Sequence, residues 1–76
     1  MLNMTVDKEE GQVPVTVARL EGELDASNYE LLIAQTQELY ADGTRDLLLD
    51  LQKVDFVSSS GLIGLHSMAL IMRGET

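Results

Sequence analysis

Asp55-Phe56-Val57-Ser58-Ser59-Ser60-Gly61-Leu62 decides how the rest of this chain is read. Upstream, Asp46-Leu47-Leu48-Leu49-Asp50-Leu51 has the unbroken apolar run of a strand buried on both faces. Downstream, Leu62, Leu65, Ala69 and Met72 recur at helical spacing, so the order is strand, short loop, serines, and a helix from about Ser60 to Arg73. The first backbone N–H groups of a helix lack intrahelical partners and carry roughly half a positive charge, which favours a bound or covalently attached phosphate. A serine hydroxyl at that position is either a cap or a phosphate acceptor.

Moving outward, Asp42-Gly43-Thr44 closes an earlier helix, with glycine where a left-handed residue is usual. That helix contains Tyr29, Leu32 or Ile33, Thr36 and Tyr40 at intervals of three and four, and Ser27 and Glu30 have the spacing of a capping box at its start. Glu21-Gly22-Glu23-Leu24-Asp25 reads as a break where the chain leaves a sheet. Before it, Val13 to Leu20 is a β-branched strand, with Pro14 tolerable near its start or on an edge. Leu2, Met4 and Val6 alternate with polar residues as a first strand, and Lys8 to Gln12 is the turn between the two. A hairpin followed by a βαβ unit predicts an α/β fold with a small mixed sheet, its second and third strands parallel and the crossover right-handed. Asp46–Leu51 is expected at the centre of the sheet.

The chain has 76 residues, enough for one domain, and a formal net charge of -8 spread along its length. That charge disfavours nucleic acid and anionic membrane surfaces, which need clustered Lys and Arg, and suits a partner with a basic face. There is no Cys, so neither a disulfide nor a Cys-based metal site can form, and a single His66 argues against a histidine-rich centre. No metal or cofactor is called for. No apolar run approaches the ~18 residues of a membrane span and no signal-peptide core opens the chain, so a soluble cytoplasmic protein is expected.

For Ser58, Ser59 and Ser60, helix capping accounts for the residue types without any chemistry. A hydrolase would want a G-x-S-x-G elbow, which is absent, and His66 lies within the following helix with no reason to face Ser59. A phosphate-binding loop would want G-x-x-x-x-G-K-[ST], a pattern that is also absent, with no lysine after the glycine. Asp25 and Asp50 are placed at the ends of the second and third strands, with Asp55 in the loop after Asp50. Capping and solvation explain Asp50 and Asp55, whereas Asp25 is expected to border the serine loop. A phosphoserine there would add about -1.5 to -2 charge beside a carboxylate and repel a docked partner. His66 reads as a half-exposed helix residue, and the four Met residues as core filler.

Gly22-Glu23-Leu24-Asp25, the helix after it, Leu48-Leu49-Asp50-Leu51 and Phe56-Val57-Ser58-Ser59-Ser60-Gly61-Leu62 together resemble the STAS domain of anti-sigma factor antagonists. The resemblance covers essentially the whole chain. It implies a STAS-like mixed sheet with helices, lacking the C-terminal strands and helices of the full domain, and a regulatory module, not an enzyme. In the pathways of that family the antagonist binds an anti-sigma factor that is also a serine kinase, of the histidine-kinase-like ATPase type. Phosphorylation of one serine ends the interaction, and a PP2C-type phosphatase restores it. Aligned through Ser-Gly-Leu, the acceptor falls on Ser59, and the GELD aspartate, near the acceptor and the kinase contact, falls on Asp25. Asp25, Ser58, Ser59, Ser60 and Gly61 are the implied partner-binding residues. Ser58 stands where many members carry Asp, which makes it a second candidate acceptor.

Leu62, Ile63, Leu65, Ala69, Leu70, Ile71 and Met72 make the second helix apolar on more than one face, and such a helix expects more than one cover. Nothing downstream supplies it, so residues 1–76 read as a single incomplete domain that could dimerise or swap segments. Two further roles fit the resemblance without a phosphoserine, an accessory subunit of a lipid transporter and a component of a stress-signalling scaffold.

Overall fold

A computed structural model describes residues 2–11 and 13–74. The elements run β1 (Leu2–Glu9), β2 (Val15–Leu24), α1 (Tyr29–Ala41), β3 (Leu47–Val57) and α2 (Ser59–Met72). The sheet has the order β1-β2-β3, with β1 antiparallel and β3 parallel to β2. The expected hairpin and the expected parallel pair are both present. The Gln12 end of the anticipated turn and the last two residues lie outside the described residues.

The centre of the sheet is β2, not the Asp46–Leu51 run. Its Ala18, Leu20 and Leu24 are almost completely buried, whereas Leu48 in β3 is 58% exposed. An unbroken leucine run does not distinguish a central strand from an edge strand with one covered face. Here Leu47 and Leu49 pack toward the core, and Leu48 points the other way. On that uncovered face Arg19 pairs with Asp7 and lies 3.8 Å from Asp50, so Asp50 sits within the strand as an ion-pair partner and not at its end.

Both parallel strands run further than the residue pattern suggests. Gly22, expected as a break, lies inside β2 at a register shift whose extra residues belong to β3, and Asp55-Phe56-Val57 is strand, not loop. Register accounts for it. From Arg19 to Leu24 β2 advances five residues while β3 advances seven, from Asp50 to Val57, with irregularities between Arg19 and Glu21 and between Gly22 and Glu23. Gly22 takes φ of 110°, a left-handed value that only glycine adopts cheaply, and pairing then resumes at Glu23↔Phe56 and Leu24↔Val57.

Both helices lie over one face of the sheet and meet each other. Leu20, Leu24, Leu32 and Met68 form the buried cluster, each worth about 1.5–3 kcal/mol of apolar burial. In α1, Thr36 is buried and satisfies its hydroxyl by donating to Leu32 O at 2.9 Å. The helix stops as expected at Gly43, which has φ of 102°, while Thr44 N–H donates to Leu39 O at 3.0 Å. Arg45 stacks 3.8 Å over the Tyr40 ring and donates to Tyr40 O, placing a cation at the negative end of the helix. In α2, Gly61, Gly64, Met68 and Ile71 face inward, while Leu62 and Ile63 are 59% and 57% exposed. The helix is covered on one side only.

Candidate functional site

The C-terminal ends of β2 and β3 and the N-terminal ends of α1 and α2 converge at one pole of the molecule. The end of β2 and the start of α2 are joined by a backbone bond, from Ser58 N–H to Leu24 O at 2.9 Å, which continues the β2–β3 ladder one step past Leu24↔Val57. Asp25 and the serines are thereby neighbours across the sheet end.

The three serines do different things. Ser58 is the N-cap of α2, with extended backbone angles (φ -80°, ψ 175°), and its Oγ accepts from Gly61 N–H at 3.1 Å. Its hydroxyl is therefore committed to the helix. Ser59, the first helical residue, is exposed, and its hydroxyl bonds to no described residue. Ser60 is half-buried. Gly61 is fully buried for a steric reason: a Cβ there would lie 2.6 Å from Leu24 O and 3.0 Å from Leu24 Cγ. Gly64, one turn on, sits against Tyr29 in the same way, with 3.2 Å from the Cβ position to Tyr29 Cβ. These two glycines let α2 approach the end of β2 and the start of α1 closely enough to place the serine cap over Leu24.

On the other side of the joint, the capping box does not form. The N-cap of α1 is Asn28, not Ser27, and Glu30 lies inside the first turn. Ser27 turns back instead: its N–H donates to Asp25 Oδ1 at 2.9 Å and its hydroxyl donates to the same oxygen. A local Asp-x-Ser turn outcompeted the box because the aspartate is two residues away and already on the turn. These two bonds, the hydroxyl first, hold the Asp25 carboxyl below its ordinary value. Asn28 completes the turn, accepting from Asp25 N–H at 3.0 Å and donating to Glu23 O at 2.8 Å. The sequence reading missed Asn28; an Asx residue next to a helix start, three after Asp25, was the available signal.

Asp55 is exposed in β3 near this pole, and His66 is exposed two turns along α2 from Ser59. Among the described residues no group of three His, Cys, Asp or Glu side chains could hold a metal ion, and no helix is long and apolar enough to cross a membrane.

The family model described as "Mlab, STAS domain" matches residues 6–76. The chain belongs to the STAS domain family. By sequence it is 34% identical over 61 residues to BtrV of Bordetella bronchiseptica (strain RB50), a protein named as an anti-sigma factor antagonist. That alignment takes in 80% of this chain and 50% of BtrV. By structure it is similar to an anti-sigma factor antagonist from Mycobacterium paratuberculosis, with a TM-score of 0.78 and 28% identity over 91% of this chain and 56% of that one. The fold is also that of the anti-sigma factor antagonist SpoIIAA in its unphosphorylated form, with a TM-score of 0.66 and 20% identity over 92% of this chain and 64% of SpoIIAA. The STAS chain thus spans half to two thirds of the length of these relatives.

Proposed function

We propose that this STAS chain is a cytoplasmic regulatory binding module, without catalytic activity, that acts as an anti-sigma factor antagonist and is switched by phosphorylation of Ser59. The observation that carries this reading is the division of labour at the start of α2. Ser58 spends its hydroxyl on Gly61 N–H, while Ser59 offers an exposed, unbonded hydroxyl at the positive end of a helix with no acidic residue in its first turn. A phosphate on Ser59 would find the helix terminus favourable. The partner would be an anti-sigma factor serine kinase, with a PP2C-type phosphatase to reverse the modification.

Charge supports the same reading. Glu23, Asp25, Glu30 and Asp55 belong to the segments at the serine pole, whereas no Lys or Arg occurs between Arg19 and Arg45 or between Lys53 and Arg73. An acidic pole of this kind steers a basic partner surface toward the serines, and a doubly charged phosphate added there changes what that surface meets.

The test is intact-mass analysis after incubation with the candidate kinase and ATP, on wild type, Ser58→Ala and Ser59→Ala. One phosphate that only Ser59→Ala abolishes is expected; a phosphate retained in Ser59→Ala would refute the assignment. A second reading, a constitutive docking subunit such as a lipid-transporter accessory protein, draws on exposed Leu62 and Ile63, since an apolar contact beside the serines needs no phosphate. Wild type that binds its partner but takes no phosphate would favour it.

A further inference from the structure

We propose that Asn28 is a positioning residue that sets Asp25 and the serine loop relative to one another, and so governs recognition of Ser59; the inference rests on the phosphoswitch reading. An asparagine at an N-cap ordinarily accepts from an N–H of the first helical turn, yet the Asn28 side chain makes no such bond. It points backward, its Oδ1 taking Asp25 N–H at 3.0 Å and its Nδ2 reaching Glu23 O at 2.8 Å. One amide thus bridges the residues on either side of Leu24, donor to acceptor and acceptor to donor.

Leu24 is the residue whose carbonyl holds Ser58 N–H and whose atoms abut Gly61. Glu23-Leu24-Asp25 is therefore gripped from one side by Asn28 and from the other by the cap of α2. The segment follows immediately on the Gly22 irregularity in the β2–β3 register. Asn28 adds a side-chain constraint to the backbone bonds that hold it, those from Asn28 N–H and Tyr29 N–H to Asp25 O among them. Ser27 then sets the direction of the Asp25 carboxylate through Oδ1. Removing the amide frees the Asp25 N–H and the Glu23 carbonyl to water at a partly exposed site, so the fold survives while the placement of Asp25 against Ser58 and Ser59 blurs.

The experiment compares wild type, Asn28→Ala, Asp25→Ala and the double variant. In all four, phosphorylation kinetics with the candidate anti-sigma kinase are measured, together with Ser58 amide hydrogen exchange by NMR. The expected result for Asn28→Ala is faster Ser58 exchange and a KM for the antagonist raised about tenfold, with kcat within about twofold. In the Asp25→Ala background the same change should add little, because Asn28 acts through Asp25. Asn28→Thr, which keeps a polar cap residue too short to span Glu23 and Asp25, should behave like Asn28→Ala; rescue by threonine would reduce Asn28 to an ordinary cap and overturn the proposal. Unchanged Ser58 exchange overturns the clamp whatever the kinase does. Faster exchange with unchanged KM, or equal effects with and without Asp25, overturns the positioning role while the switch stands. Wild type that takes no phosphate refutes the switch and this role with it.

Discussion

Gly61→Ala gives the sharpest check on how the serine pole is built. The added Cβ would lie 2.6 Å from Leu24 O, 3.0 Å from Leu24 Cγ and 3.0 Å from Val57 Cγ1. An ordinary carbon–oxygen approach is about 3.3 Å, so α2 or the end of β2 must retreat by roughly 0.7 Å. The leucine side chain can yield; the carbonyl cannot without disturbing its bond to Ser58 N–H. Overpacking of this kind costs about 1–3 kcal/mol and the weakened bond about 1 kcal/mol, against a gain of up to about 1 kcal/mol from alanine's better helix propensity. The net is a loss of about 2 kcal/mol, a large share of the roughly 4–11 kcal/mol expected of a 76-residue domain. At an m value of about 1 kcal/mol/M, the urea midpoint should fall by about 2 M with m unchanged. Gly64→Ala is the internal comparison: its Cβ would meet Tyr29 Cβ at 3.2 Å and Tyr29 O at 3.4 Å, milder contacts that ask for a smaller shift than at Gly61, so helix propensity should offset more of the cost. Gly11→Ala, with nothing within 4 Å and no left-handed φ, should stay within about 0.5 kcal/mol of wild type. A Gly61→Ala midpoint indistinguishable from that of Gly11→Ala would show that α2 does not approach Leu24 this closely.

Ser58→Ala should cost about 1 kcal/mol in chemical denaturation through loss of the α2 cap, while Ser59→Ala stays within about 0.5 kcal/mol; the reverse order would mean the caps are misassigned. Ser27→Ala removes the hydroxyl bond, the larger of the two that depress the Asp25 carboxyl, and leaves the backbone N–H bond in place, so an NMR titration should find Asp25 nearer its ordinary value of 3.8. The sign follows: a depressed folded value gives stability that is present above the ordinary value and lost as pH falls through the folded one, so the variant's acid limb should be flatter below about pH 4. Gly43→Ala meets no atom within 4 Å but must hold φ of 102°, and a destabilisation of about 1 kcal/mol by thermal or urea melting is expected; no change would mean the α1 C-terminus relaxes freely.

The hairpin, the parallel pair and both helices were legible because each rests on a local signal: alternation at Leu2-Met4-Val6, β-branched residues in β2, the Gly43 stop, and helical spacing after Ser60. What was not legible depended on neighbours. Leu47-Leu48-Leu49 looks the same at the centre of a sheet as at its edge, and only the pairing of β2 with two strands places it at the edge. Gly22 looks like a break, but a left-handed glycine can also re-phase a strand against a partner carrying extra residues, and the register of β3 decides between the two. Ser27 and Glu30 had the spacing of a capping box, yet Asp25 was the nearer acceptor for Ser27. The place of the serines at the start of a helix was legible from Ser58-Ser59-Ser60-Gly61; the assignment of cap to Ser58 and free hydroxyl to Ser59 came only from the geometry.

That assignment bears on how a phosphate could act. Attached to Ser59, it would sit outside the cap, since the Ser58–Gly61 bond and the Ser58–Leu24 bond involve neither the Ser59 hydroxyl nor its side chain. The helix terminus would accept the charge, contributing roughly 0.3–1 kcal/mol of stabilisation, so the switch need not unfold anything. Its effect must instead fall on whatever docks at the pole. Leu62 and Ile63 follow Ser59 at helical spacing of three and four and are exposed on the same side of α2, so a partner that covers these apolar side chains must also desolvate the position of the phosphate. An unmodified hydroxyl costs little to cover, whereas a dianion on a pole already lined by carboxylates and lacking its own cations costs several kcal/mol unless the partner supplies Arg or Lys at that spot. Recognition by a partner built for the neutral serine would therefore be lost on modification, while the chain itself would stay folded.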